Sequence, residues 1–266
     1  MSQSFDPTLT MLSGYLPLDG TIEFYGRINS ILKPTDIVLD LGAGRGAWYF
    51  EDKCEKRRLL RDIKPKVQRL IGVDVDPIVL RNPTTNENYL IENGRIPLPN
   101  HSVDVILADY VLEHILDIQQ FSQEVSRLLK PNGFFCARTP HKFEYVSIAA
   151  RIVNNKHHSK VLSVAQPDRE IGDVFPTVYR LNTIDSIKRA FPSFENYSYL
   201  YFSEPSYFFG NRHLYRLFCW FHKLLPAIFV SNLFVFLKQL EGGPNSVGGC
   251  EAKGAVVGAV KLLATV

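Results

Sequence analysis

A doubly wound α/β fold is expected from three observations: short apolar runs recur, each run ends in a polar or glycine turn, and a helical period separates two of them. The runs are Val38, Leu39 and Leu41 before Gly42, Leu70 to Val73 before Asp74, Val103 to Ala108 before Asp109, and Phe134 to Ala137 before Thr139. They are apolar throughout rather than alternating, which is the pattern of parallel strands covered on both faces. Between the third and fourth runs, Ile118, Phe121, Val125, Leu128 and Leu129 fall at helical spacing within Asp117 to Lys130, and Pro131-Asn132-Gly133 reads as the stop. Strands joined by helices in this order wind right-handedly and bind ligands at the carboxyl ends of the strands.

The 266 residues suit one large α/β domain or a core with an appended cap. Charged residues make up 21%, hydrophobic residues 45%, and mean hydropathy is near zero, which excludes a disordered tail and a multi-span membrane protein. A net charge of +3 is too small for the footprint of a nucleic-acid binder. Cys54, Cys136, Cys219 and Cys250 form no C-x-x-C pair, so no zinc ribbon or disulfide scaffold is expected. With no apolar stretch near Met1 to Asp6 to act as a signal peptide, a cytoplasmic location is expected.

The chain divides by character. Residues 1–140 read as a nucleoside-binding core and 141–182 as an inserted cap. Residues 183–240 complete the sheet, and 241–266 form a glycine-rich tail. Asn182 to Ala190 reads as a helix, Asn196 to Phe202 as a strand, and Leu233 to Lys238 as its antiparallel neighbour. Sixteen of the 32 aromatic residues fall in the 46 positions from Phe191 to Phe236, so this region needs burial against a core or an apolar partner. Within it, Leu214, Leu217, Phe218, Phe221, Leu224 and Leu225 make one helical face, with Arg212, Arg216 and Lys223 on the other. A basic amphipathic helix can lie on an anionic membrane, here the inner face, or it can cover the core. The apolar run from Leu224 to Leu237 is too short and too broken to span.

The sharpest local signal is Val38-Leu39-Asp40-Leu41-Gly42-Ala43-Gly44-Arg45-Gly46, a strand running into a glycine turn with a helix starting near Ala47. Missing Cβ atoms let a ligand lie against the backbone N–H groups. Gly42, Gly44 and Ala47 also satisfy the G-x-G-x-x-A dinucleotide fingerprint. However, Asp40 would face the NAD pyrophosphate repulsively, and Asp74 lies nearer 30 than about 20 residues past the turn. A carboxylate ending the second strand can accept two hydrogen bonds from a ribose diol, which is the role expected of Asp74.

Together with Ile71 to Asp76, Ile96 to Asp104, Val111-Leu112-Glu113-His114 and Arg127 to Gly133, this turn resembles the class I S-adenosylmethionine-dependent methyltransferases. The likeness is to the broad type 11 subgroup that includes quinone-biosynthesis methyltransferases, and it covers roughly residues 20 to 140. It implies a seven-stranded, mostly parallel sheet and S-adenosyl-L-methionine as cofactor. Gly42, Ala43, Gly44 and Gly46 would be its backbone contacts, Asp40 would neighbour its amino-acid end, Asp74 would hold its ribose, and Val75 would flank its adenine. Asn93-Gly94 replace the family's usual acidic residue at the adenine, while Asp109 and Tyr110 match the segment closing over the methionine.

His114 is the candidate general base if the acceptor must lose a proton. Its other reading is a structural histidine. His141, Tyr145 and Tyr179 are candidate substrate contacts, with ordinary packing as the alternative. His157-His158 lack a third ligand at metal spacing, so no metal is expected. The acceptor is expected to be small or amphiphilic, with a sugar or glycan-lipid preferred on a loose likeness of Asp173 to Asn182 to the caps of bacterial methyltransferases. Two rival readings are an NAD-linked oxidoreductase and a non-catalytic nucleoside-binding module.

Overall fold

The computed structural model describes residues 5–145, 147–148, 177–203, 205, 208–229 and 231–241. Its strands are β1 (Ile37–Leu41), β2 (Arg69–Asp74), β3 (Glu87–Leu90), β4 (Val103–Asp109), β5 (Leu129–Pro140), β6 (Phe194–Asn196), β7 (Tyr199–Phe202) and β8 (Ser231–Gln239). They form one sheet in the order β3-β2-β1-β4-β5-β8-β6, with β7 also on β8. The first five strands are mutually parallel, and β8 runs antiparallel between β5 and the β6/β7 edge.

The sheet has eight strands rather than seven because its outer edge is interrupted. β6 and β7 pair with successive parts of β8, and between them the Phe236 N–H donates to the Ser198 hydroxyl (3.3 Å) rather than to a backbone carbonyl. The edge strand β3, Glu-Asn-Tyr-Leu, has no apolar run to announce it in the sequence.

Alternate residues of each strand feed cores on opposite faces. One joins Leu39, Ile71, Ile106 and Phe135 to Phe121, Val125 and Leu128 of α4 (Ile118–Leu128), and to Ile187 of α5 (Ile184–Ala190). The other joins Val38, Leu70, Val105 and Phe234 to Phe24 and Ile28 of α1 (Gly20–Ile31). Side-chain oxygens of Asp19, Asp117 and Thr183 accept backbone N–H groups at the starts of α1, α4 and α5. Two short helices, α2 (Ala47–Glu51) and α3 (Glu55–Arg61), follow the glycine turn.

The expected stop at Pro131-Asn132-Gly133 lies inside β5. The helix ends at Leu128, Leu129 already pairs with Val103, and Asn132 takes a left-handed φ of 63° in a register shift. The aromatic region is partly core: Phe191 packs on Phe135, and Tyr201 stacks on Phe234 at 4.7 Å. Part of it stands out on α6 (Arg212–Leu224). Among the described residues, Cys54 and Cys136 are buried thiols outside any disulfide, and no helix is long and apolar enough to cross a membrane. His157, His158, Asp173 to Pro176, Cys250 and the tail beyond Glu241 lie outside the described residues.

Candidate active site at the strand ends

The chain runs outward from β1 through β2 to β3 and then crosses to β4, so the crevice of this sheet opens where β1 and β4 end. Gly42, Gly44 and Gly46 all take left-handed φ there, between 50° and 77°. A Cβ on Gly42 would stand 2.5 Å from Val111 Cγ2, and one on Gly46 2.6 Å from Asn82 Oδ1. At Gly44 a Cβ would meet only Asp74 Oδ2 at 4.0 Å, so this glycine leaves open space beside the carboxylate.

The turn's N–H groups, expected to face a ligand, are donated within the protein. Gly42 and Ala43 N–H donate to the Val73 carbonyl (2.8 and 3.2 Å), Gly44 N–H to Asp74 Oδ2 (2.9 Å) and Gly46 N–H to the Ala43 carbonyl (3.3 Å). The helix after the turn spans five residues, too few to build a strong dipole. What faces the crevice is therefore the bare Cα surface of the turn. Buried Asn82 braces it from below, its Nδ2 donating to the Ala43 and Gly44 carbonyls (3.0 and 3.1 Å). The sequence carries no signal for that role.

Asp74 ends β2 half-buried. Oδ2 accepts from Gly44 and Oδ1 from the Asp76 N–H (3.0 Å), and the Val75 N–H adds a third backbone donor, so the carboxylate keeps part of its acceptor capacity for a ligand. Burial raises its pKa, against those three hydrogen bonds. Beside it runs an apolar cavity lined by Val75, Ile91, Gly94, Ile96, Val111 and Ile115. Asn93 is exposed at its rim in a left-handed conformation, its carbonyl accepting from Gln120 Nε2.

Asp109 does not close over this crevice. It is the last residue of β4 and is taken up by Arg138, its register partner on β5: Nε donates to Oδ1 (2.7 Å) and Nη2 to Oδ2 (2.8 Å). The Tyr25 hydroxyl donates to Oδ2 as well (3.1 Å), and Arg61 approaches to 3.8 Å. Burial would raise the Asp109 pKa, but these cations and the hydroxyl outweigh it and hold the carboxyl below its ordinary value. An arginine after the apolar run Phe134 to Ala137, opposite an aspartate after Val103 to Ala108, is the legible signal of this pair. Tyr110 (φ 59°) remains exposed, its ring 4.7 Å from the Arg138 guanidinium.

Asp40 is one residue before the end of β1. Burial pushes its pKa up to about 7, with Arg61 opposing and the Asp109 and Asp74 charges adding to the rise. The folded protein thus holds this proton more tightly than the unfolded chain does. The stability it contributes is complete below about pH 4 and is lost as the pH rises through 7. The melting temperature of the free protein should fall over that interval, and the Asp40→Asn variant should flatten the fall.

Next to this group lies a groove of about 850 Å³, walled by Leu9, Met11, Trp48, Cys54, Arg57 and Arg61. Arg61 packs between the Tyr25 and Trp48 rings and reaches Asp109, so the groove meets the end of β4.

His114 is half-buried in a 3₁₀ turn, Leu112–His114, just past β4. Its neighbour Glu113 is buried, accepts from the Thr139 hydroxyl (2.8 Å), and offers its carbonyl to the Val178 and Tyr179 N–H groups. The three candidate substrate contacts fall into packing. His141 is buried with Nδ1 on the Ile228 carbonyl (2.8 Å), and burial lowers its pKa. Tyr179 is buried, which raises its pKa. Tyr145 packs against Phe218 and His222 of α6. Among the described residues, no cluster could hold a metal ion.

Residues 39–137 match a family described as a methyltransferase domain. A "probable S-adenosylmethionine-dependent methyltransferase" of Mycolicibacterium smegmatis is 32% identical over 133 residues, 48% of this chain and 47% of that one. Demethylmenaquinone methyltransferase of Tropheryma whipplei is 32% identical over 102 residues, 36% and 38% of the two chains. The chain thus spans less than half the length of these curated relatives. Among solved structures, the [4+2]-cyclase SpnF superposes with a TM-score of 0.51 at 14% identity, covering 83% of this chain and 81% of that one. An S-adenosylmethionine-dependent methyltransferase from Archaeoglobus fulgidus gives 0.50 at 14% identity, covering 82% and 92%. These two likenesses agree with the strand order in giving a Rossmann-like methyltransferase fold, and it is residues 39–137, which hold β1 to β4 and most of β5, that carry the match to a methyltransferase domain.

Proposed function

We propose that the chain binds S-adenosylmethionine at the ends of β1, β2 and β4 and transfers its methyl group to a small amphiphilic acceptor. The observation that carries the reading is Asp74, a carboxylate with acceptor capacity beyond its backbone hydrogen bonds, open space at Gly44 and an apolar slot alongside. That combination suits a ribose diol attached to a purine. Val75 and Gly94 would wall the adenine, and Asp40 would sit by the amino-acid end.

The bound sulfonium supplies an activated methyl group. The chain's own residues have to align an acceptor with it and exclude water. The groove beside Trp48 and Arg61 is the natural approach, and its mixture of Leu9 and Met11 with Asp52 and Arg57 favours an amphiphilic acceptor, such as a sugar or glycan-lipid. His114 is the candidate base for an acceptor that must lose a proton. A cationic ligand favours ionised Asp40, so donor affinity should rise as the pH passes 7.

Against the dinucleotide alternative, the turn's N–H groups at positions 42, 43, 44 and 46 are already donated within the protein and are not offered to a pyrophosphate. The fold likeness to a cyclase favours one further reading, nucleoside binding without methyl transfer. Calorimetry should find binding of S-adenosylmethionine and S-adenosylhomocysteine and none of NAD. The opposite pattern would overturn the proposal, and methyl transfer to any acceptor would exclude the non-catalytic reading. With an acceptor in hand, His114→Ala should lower turnover about 10²–10⁴-fold at unchanged donor affinity. Full turnover at saturating acceptor would remove the histidine from the chemistry.

A further inference from the structure

Methyl transfer leaves the outer side of α6 without a role. Leu214, Tyr215, Phe218, Cys219 and His222 turn inward or sit half-buried. The outer side carries Leu217, Trp220, Phe221 and Leu224, exposed by 47%, 56%, 46% and 62%. Spaced i, i+3, i+4 and i+7, they make a continuous stripe two turns long. The single apolar face expected from the helical spacing is therefore split: Phe218 and Leu214 pack inward, whereas Leu217, Phe221 and Leu224 stand in water. An exposed apolar patch of this kind marks a contact surface.

Charge says what it contacts. Arg212, Arg216 and Lys223 are exposed on the same helix, and no Asp or Glu occurs from Pro205 to Leu237. Exposed Phe209 precedes the helix and exposed Ile228 follows it. The N-terminal segment is tied to its start: Phe5 N–H donates to the Gly210 carbonyl (2.8 Å), and the Phe5 ring packs on Tyr215. Exposed Leu9 and Leu12 follow close by, and Leu9 also walls the groove.

We infer that this face docks onto an anionic lipid surface, with the Leu217–Leu224 stripe at the acyl boundary and Arg212, Arg216 and Lys223 among the headgroup phosphates. A second copy in a two-fold contact would bring these same cations together, which argues against self-association. Tryptophan suits the interfacial layer. Thirteen residues of helix ahead of Pro226 are too few to cross a bilayer, so α6 lies flat. The inference needs neither donor nor acceptor, so it stands or falls apart from the methyltransferase reading.

The test is cosedimentation of the full chain with phosphatidylcholine vesicles, with and without phosphatidylglycerol. Binding should require phosphatidylglycerol and weaken with salt. Each cation contributes about fivefold, so Arg212→Glu/Arg216→Glu/Lys223→Glu should lower partitioning on the order of a hundredfold. Trp220→Glu/Phe221→Glu should lower it at least about tenfold. These side chains are exposed, so both variants should keep the parent's melting temperature. In a Trp48→Phe background, Trp220 emission should shift to the blue on the anionic vesicles. No binding at low salt, equal binding to both vesicles, or a concentration-dependent dimer abolished by Trp220→Glu would overturn the inference.

Discussion

Replacing Arg138 by methionine is expected to lower folding stability by about 3–5 kcal/mol, read as a shift in the urea midpoint. Arg138 is almost fully buried and gives Asp109 two short hydrogen bonds. Without it, a carboxylate at the sheet's interior end keeps only the Tyr25 hydroxyl and Arg61 at 3.8 Å. The cost comes from stranding that charge rather than from losing an attraction, so removing both partners should be far milder. Asp109→Leu combined with Arg138→Met is expected to recover most of the loss. A single variant within about 1 kcal/mol of the parent would mean that Arg61 can take over, and the pair would not organise this end of β4 and β5.

The Asp74→Asn variant is expected to weaken S-adenosylhomocysteine binding roughly 10- to 100-fold, the range for hydrogen bonds to a charged group. An amide keeps one acceptor oxygen and sets an NH₂ group against either the Gly44 or the Asp76 N–H, so the turn and the ligand contact suffer together. Calorimetry paired with a melting curve separates the two: lost affinity with a nearly unchanged melting temperature assigns the carboxylate to the ribose. Unchanged affinity would remove the basis of the nucleoside site and of the methyl-transfer proposal.

The strands that bear the site are legible because β1, β2, β4 and β5 are buried on both faces and therefore nearly unbroken in apolar residues. β3 is not, since an edge strand meets water and shows no such run. Asp74 is readable from its place after a strand. The N–H groups of the glycine turn depart from expectation because their partner, the Val73 carbonyl, belongs to a neighbouring strand whose register no local pattern reveals. Asp109 departs from it for a similar reason: its role depends on Arg138 lying opposite across two parallel strands, 29 residues away. His141 and Tyr179 read as available polar residues near a strand end, and only tertiary packing buries them.

The split outer edge has a consequence for how copies of this protein meet. A long, straight outermost strand offers a regular ladder of backbone donors and acceptors to any other chain. Here the outermost strand comes in pieces of three and four residues, and where they join Ser198 turns its hydroxyl inward to the Phe236 N–H of β8. Both pieces keep one register on β8, Asn196 opposite Leu237 and Tyr199 opposite Phe234, so it is the shortness of each piece that makes this rim a poor template for strand addition.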